Sequence, residues 1–192
     1  ISALNKNITG YYTTAVGSYA LNYNISATTS VALGYGAGQG LVDYSNQGGT
    51  YLGYQSGLSA DTGSDFNTFL GYQSGYGATT GSNNIWIGSA TSSTAIANLT
   101  TGSQNILIGN NISLPSATDS GQLNIGNILY GTGNTGTGST LSTGRIGIGT
   151  TSPASMFAVA GDSFFGGNII ATGSLTADSL TLTNQLSVAN GG

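Results

Sequence analysis

The chain has 192 residues, 38% of them hydrophobic and only 4% charged: two basic side chains, six acidic ones, no histidine and no cysteine. Lys6 and Arg145 alone cannot neutralise the phosphate row on which nucleic-acid binding rests, nor make a polybasic membrane anchor. No apolar run reaches the ~20 residues of a transmembrane helix, and the missing cysteines exclude a disulfide framework and thiolate metal sites.

Low-complexity Gly/Ser/Thr/Asn sequence is disordered when hydrophobicity is low or net charge high. Here the apolar positions are periodic, which predicts ordered β structure. Residues 1–13 lead in and carry Ile8, Tyr11 and Tyr12. From 14 to 130 one word recurs, clearest as Thr68-Phe69-Leu70-Gly71-Tyr72-Gln73-Ser74-Gly75 and Thr50-Tyr51-Leu52-Gly53-Tyr54-Gln55-Ser56-Gly57. Its anchor glycines are 17, 34, 53, 71, 88, 109, 126 and 149, spaced by 17 to 23 residues. A period of that size marks a repeat architecture.

Each repeat offers a short alternating strand that ends at the glycine. One residue before the glycines stand Val16, Leu33, Leu52, Leu70, Ile87, Ile108, Ile125 and Ile148, read as a continuous interior core ladder. Thr14, Val31, Thr50, Thr68, Ile85, Ile106, Leu123 and Ile146 share that face by the two-residue period. On the opposite face Tyr51, Phe69, Trp86 and Leu107 are expected as an exposed stripe between chains, since contiguous apolar patches mark interfaces; a second internal layer of a compact monomer is the alternative. Small residues three beyond the glycines (Ala20, Ala37, Ser56, Ser74 and Thr91) would let coils approach closely.

Ala90–Leu99 is the one stretch with enough alanine to consider a helix, and its β-branched residues argue against one. The repeat region is bounded at 1–130. A Gly/Thr-rich linker is expected over 131–145. A C-terminal β-strand segment follows over 146–192, continuing in a longer protein; Met156–Ala160 reads as one strand, with two or three more over 168–188.

Catalytic chemistry finds little footing. There is no histidine for a triad, and the aspartates lack a glutamate companion for two-carboxylate glycoside chemistry. Gly131-Thr132-Gly133-Asn134-Thr135-Gly136 matches the dinucleotide fingerprint, but no helix follows to hold a pyrophosphate. Asp61 and Asp65 could face a hard cation, though a solvated turn explains them better. No catalytic, cofactor-binding or metal-ligating residue is assigned, and the chain is read as not an enzyme. Scarce charge and absent cysteine, with abundant Thr, Ser, Asn and Gly, fit an extracellular or virion-surface protein.

The unit Asn/Thr-aliphatic-x-aliphatic-Gly-Tyr-x-Ser/Ala-Gly resembles the head repeats of trimeric autotransporter adhesins. It is still more similar to bacteriophage tail-fibre and bacterial surface-fibre proteins. In these, such repeats run into a segment similar to Leu123-Asn124-Ile125-Gly126-Asn127 and Gly144-Arg145-Ile146-Gly147-Ile148-Gly149-Thr150-Thr151-Ser152-Pro153. The resemblance implies an all-β fibre, built as a β-roll, β-solenoid or β-prism in a parallel homotrimer. It also implies attachment to a host-surface glycan or protein receptor. The self-cleaving chaperone domain of many relatives has no counterpart here. The expected function is a non-catalytic structural or adhesive fibre, with a head-to-tail extracellular filament as the alternative. For an adhesin, Tyr35, Tyr54 and Tyr72 are candidates to stack on sugar rings, or equally on neighbouring coils. An ice-binding solenoid would need a regular threonine ladder, against which the varying spacing argues.

Overall fold

The computed structural model describes residues 2–91, 99–166, 170, 172, 174 and 176. The chain divides into a first unit, Ile1–Gly161, and a second, Asp162–Gly192. The described residues of the second unit form no strand, and the strands expected over 168–188 fall almost wholly outside the described residues. The first unit is all-β, a β-solenoid of about six turns, and no helix occurs among the described residues. Most of Ala90–Leu99, considered above as a helix, also lies outside them.

Ten short strands form one sheet in chain order. They are β1 (Thr14–Val16), β2 (Val31–Leu33), β3 (Thr50–Leu52), β4 (Thr68–Leu70), β5 (Ile85–Ile87), β6 (Ile106–Ile108), β7 (Leu123–Ile125), β8 (Leu129–Thr132), β9 (Arg145–Ile148) and β10 (Phe157–Val159). From β1 to β7 every pairing is parallel and in register, so Ala15, Ala32, Tyr51, Phe69, Trp86, Leu107 and Asn124 form one column. The variation in repeat length is absorbed in the connections, and the strands keep a common register.

The anchor glycines make the corner that the sequence predicts. Gly53 and Gly71 have φ of 135° and 131°, a region open to glycine and strained for other residues. A Cβ on Gly53 would stand 2.3 Å from the carbonyl oxygen of Gly71, and one on Gly71 would stand 2.2 Å from that of Gly88. Corner backbones therefore stack directly on one another. Ala20, Ala37, Ser56 and Ser74 are fully buried behind these corners, whereas Thr91 is exposed and Ala90 is the buried residue of its coil.

Inside and outside are the reverse of the expectation. Tyr51, Phe69, Trp86 and Leu107 are completely buried and form the middle of the core, together with Ala32, Leu21 and Leu99. Val16, Leu33, Leu70, Ile87, Ile108 and Ile125 are 36–54% exposed on the outer face; Leu52 and Ile148 are half-buried. The physical reason lies in the connections, which fold over the aromatic column and carry glycines where its rings need room. A Cβ on Gly57 would meet the Tyr51 ring at 2.6 Å, and one on Gly75 would meet the Phe69 ring at 2.3 Å. An aromatic side chain brings 150–250 Å² out of water, at about 25 cal/mol per Å², so burying this column yields more than burying the aliphatic one.

A buried amide ladder reinforces the stack. Asn67, Asn84 and Asn105 immediately precede β4, β5 and β6, and all three are fully buried. Each Oδ1 accepts the backbone N–H of the equivalent residue in the next coil: Asn84 at 2.9 Å, Asn105 at 2.9 Å and Gln122 at 2.8 Å. Each Nδ2 donates to a carbonyl of the next coil, on Gly81, Gly102 and Asp119. A side chain that satisfies two backbone groups of its neighbour removes the penalty those groups would carry in the interior.

At the far end the sheet changes direction. β8 pairs antiparallel with both β7 and β9, and β10 returns parallel to β9. The expected linker over 131–145 is therefore the loop of a β-hairpin. Gly131 and Thr132 lie in β8, Arg145 lies in β9 opposite Thr132, and only the residues between them connect. The dinucleotide-like glycines sit in this hairpin and its loop. Strand β10 lies within the expected strand Met156–Ala160.

Candidate functional site

The most distinctive surface is the outer face of the parallel sheet. Its first column is Thr14, Val31, Thr50, Thr68, Ile85, Ile106 and Leu123; its second is Val16, Leu33, Leu52, Leu70, Ile87, Ile108 and Ile125. Neither column contains a charged residue. At ~4.8 Å per rung the face runs for about 30 Å. Its rungs are continuous because the register is constant.

Beyond the corner glycines the face continues as a tyrosine ladder. Tyr35 stacks on Tyr54 with ring centroids 5.4 Å apart and planes 13° apart. Tyr54 stacks on Tyr72 at 5.2 Å and 10°. Tyr19 closes the near end, edge-on to Tyr35. Tyr35, Tyr54 and Tyr72 are 42–45% exposed; Tyr54 is stacked on both faces, and Tyr35 and Tyr72 on one each. Packing between coils, one of the two alternatives for Tyr35, Tyr54 and Tyr72, is what the rings display, and it leaves Tyr54 no free face for a sugar. Gln73 Nε2 donates to Gln55 Oε1 at 2.9 Å, extending the ladder by an amide rung.

The buried phenols behave differently. Asn46 Nδ2 donates to the Tyr51 hydroxyl at 2.7 Å and to Ser64 O at 3.2 Å. The Tyr44 hydroxyl donates to the carbonyl of Gly38. Burial pushes the Tyr44 phenol well above its ordinary value, and the Tyr51 charge would raise it further. Burial also raises Tyr51, against the opposing pull of its Asn46 hydrogen bond. Both are structural groups, neutral across the physiological range.

Of the carboxylates flagged in the sequence, Asp61 serves a local turn and Asp65 joins two coils. Asp61 Oδ1 accepts the Thr62 N–H at 2.6 Å, and Asp65 Oδ1 accepts the Gln47 N–H at 2.9 Å. Lys6 lies 3.8 Å from Asp43 at an exposed site. No group of three acidic, histidine or cysteine side chains converges among the described residues, and they contain no helix long and apolar enough to cross a membrane. The outer face was legible as apolar in the sequence but was assigned to the interior. Both faces of the strands from β2 to β6 are largely apolar, so alternation alone does not say which is inside. Compared with family models, curated proteins and solved structures, the chain matches none.

Proposed function

We propose that the chain is a non-catalytic structural and adhesive fibre segment of a virion or bacterial surface, working outside the cell. In this reading parallel copies pack their outer aliphatic faces around a shared axis. The observation that carries it is a parallel sheet covered on one face only. Parallel sheets are found almost exclusively with both faces covered, and here the uncovered face is uncharged and lined largely by Val, Leu and Ile. Identical chains set in parallel would bring identical columns together, and three such faces close into a prism. The count of three comes from the resemblance to trimeric fibres. The interchain role expected of Tyr51, Phe69, Trp86 and Leu107 passes to the residues beside them.

A second reading is a subunit that polymerises head-to-tail. It is favoured by β1, an edge strand of the sheet, since edge strands are templates for strand addition. Electron microscopy of the purified chain separates the two. Discrete rods of one length support lateral assembly; filaments of indefinite length support the second reading and overturn the first.

A further inference from the structure

A polar groove of about 380 Å³ runs along the flank of the first four coils, on the side that leads into the strands. We propose that it binds a neutral oligosaccharide. This rests on the attachment half of the proposed function and not on the three-chain assembly, because one chain supplies every wall.

The groove is built from equivalent positions. Tyr11, Thr28, Gln47 and Asp65 each stand three residues before a strand, and Thr9, Ser26 and Ser45 stand two residues earlier in their coils. Three rung spacings of ~4.8 Å give a row about 14 Å long, which suits an extended chain of a few sugar rings. All seven side chains can form hydrogen bonds, and they include hydroxyls, an amide and one carboxylate.

The later coils show what the position does when it is purely structural. Ser82, Ser103 and Ser120 are the equivalents, and each hydroxyl accepts the backbone N–H of the preceding coil, on Asp65 at 3.1 Å, Ser82 at 3.0 Å and Ser103 at 2.9 Å. Asp65 Oδ1 does the same for Gln47. Toward the first coil this closure stops. Thr28 Oγ1 turns back to Ser26 O at 3.0 Å, Gln47 is exposed, and the cavity opens where the side chains no longer seal the backbone. Ser26, Ser45, Gln47 and Asp65 line one space there.

Tyr11 adds the apolar element. Its ring is 59% exposed at the end of the row, braced edge-to-face by Tyr12 at 5.0 Å. An aromatic ring beside a row of donors and acceptors matches a pyranose, which has an apolar C–H face and a polar rim. Asp65 is the one charged residue of the lining and no basic residue accompanies it. Anionic glycans are therefore disfavoured, and binding to a neutral sugar is expected to vary little with salt.

The test is an array of neutral and acidic oligosaccharides probed with the intact chain, followed by calorimetric titration of the best neutral binder. Gln47→Ala and Tyr11→Ala are each expected to weaken binding about tenfold or more, the loss of roughly one well-made contact. Ser120→Ala, in the sealed part of the column, is expected to leave affinity unchanged. Circular dichroism confirms that each variant is folded. Saccharide binding that survives both groove substitutions overturns the groove and leaves attachment intact at another surface. Binding to cells that survives glycosidase treatment, with no saccharide retained on the array, overturns the ligand class while attachment stands. Preference for acidic glycans also overturns it.

Discussion

Replacing Asn84 by alanine isolates the buried amide ladder. Asn84 Oδ1 accepts the Asn105 N–H at 2.9 Å, and its Nδ2 donates to Gly102 O at 2.9 Å. Both partners are buried, so the substitution strands one N–H and one C=O away from water. Each stranded group costs about 1–3 kcal/mol, so the expected loss is about 2–6 kcal/mol. Asn84→Asp keeps the acceptor toward Asn105 but brings a carboxylate against the Gly102 carbonyl, and it should be at least as damaging. Thr101→Ala, one residue from Gly102 but exposed, should shift stability by less than ~0.5 kcal/mol. Urea unfolding at one fixed protein concentration reads these differences as a lowered midpoint at constant slope. A loss below ~0.5 kcal/mol for Asn84→Ala would show that water replaces the amide, and the ladder would carry no stability.

Three other substitutions test the packing. Gly71→Ala places a methyl 2.2 Å from the Gly88 carbonyl at φ 131° and should destabilise by about 2 kcal/mol or more; Gly63→Ala, with nothing within 4 Å of its Cβ, should cost less in the same melt. Trp86→Ala should cost about 3–5 kcal/mol, as a fully buried aromatic does, and a cost below ~1 kcal/mol would contradict its place in the core. For the phenols the folded pKa lies above the unfolded value of 10.0. The stability they contribute is present below pH ~10 and is lost as pH rises beyond it, because the unfolded state releases the protons first. Tyr51→Phe should flatten that alkaline loss in unfolding curves at rising pH; an unchanged loss would place the titration elsewhere.

Much of the fold is written in the spacing of the anchor glycines. Gly17, Gly34, Gly53, Gly71 and Gly88 each close a strand at the position expected, because a corner stacked on a corner leaves no room for Cβ; Gly109 also closes a strand, but a Cβ there would first meet the Ile112 side chain at 3.2 Å. The choice of interior face was not legible from alternation. Strands such as Thr68–Leu70 and Ile85–Ile87 are apolar on both sides, and period two says only that Phe69 and Leu70 point apart. What decides the matter is the connection, whose glycines (Gly57 and Gly75) fit against Tyr51 and Phe69; that match of loop to ring is tertiary. The Asn67, Asn84 and Asn105 ladder could have been found, since an asparagine recurs four residues before the glycine in three successive repeats. The polar groove could not, because Tyr11, Thr28, Gln47 and Asp65 share no residue type and become a column only once the register is known.

The central claim is that the outer aliphatic face is an interface between copies of this chain, and native mass measurement on the intact chain and on Ile87→Asp tests it most directly. Ile87 is 39% exposed at the middle of that face, beside the buried Trp86. A wild-type particle of three times the 19.1 kDa chain mass, falling to a single folded chain in Ile87→Asp, is the expected result. A wild-type chain that is monomeric at high concentration, or a variant assembly of unchanged mass, would contradict it.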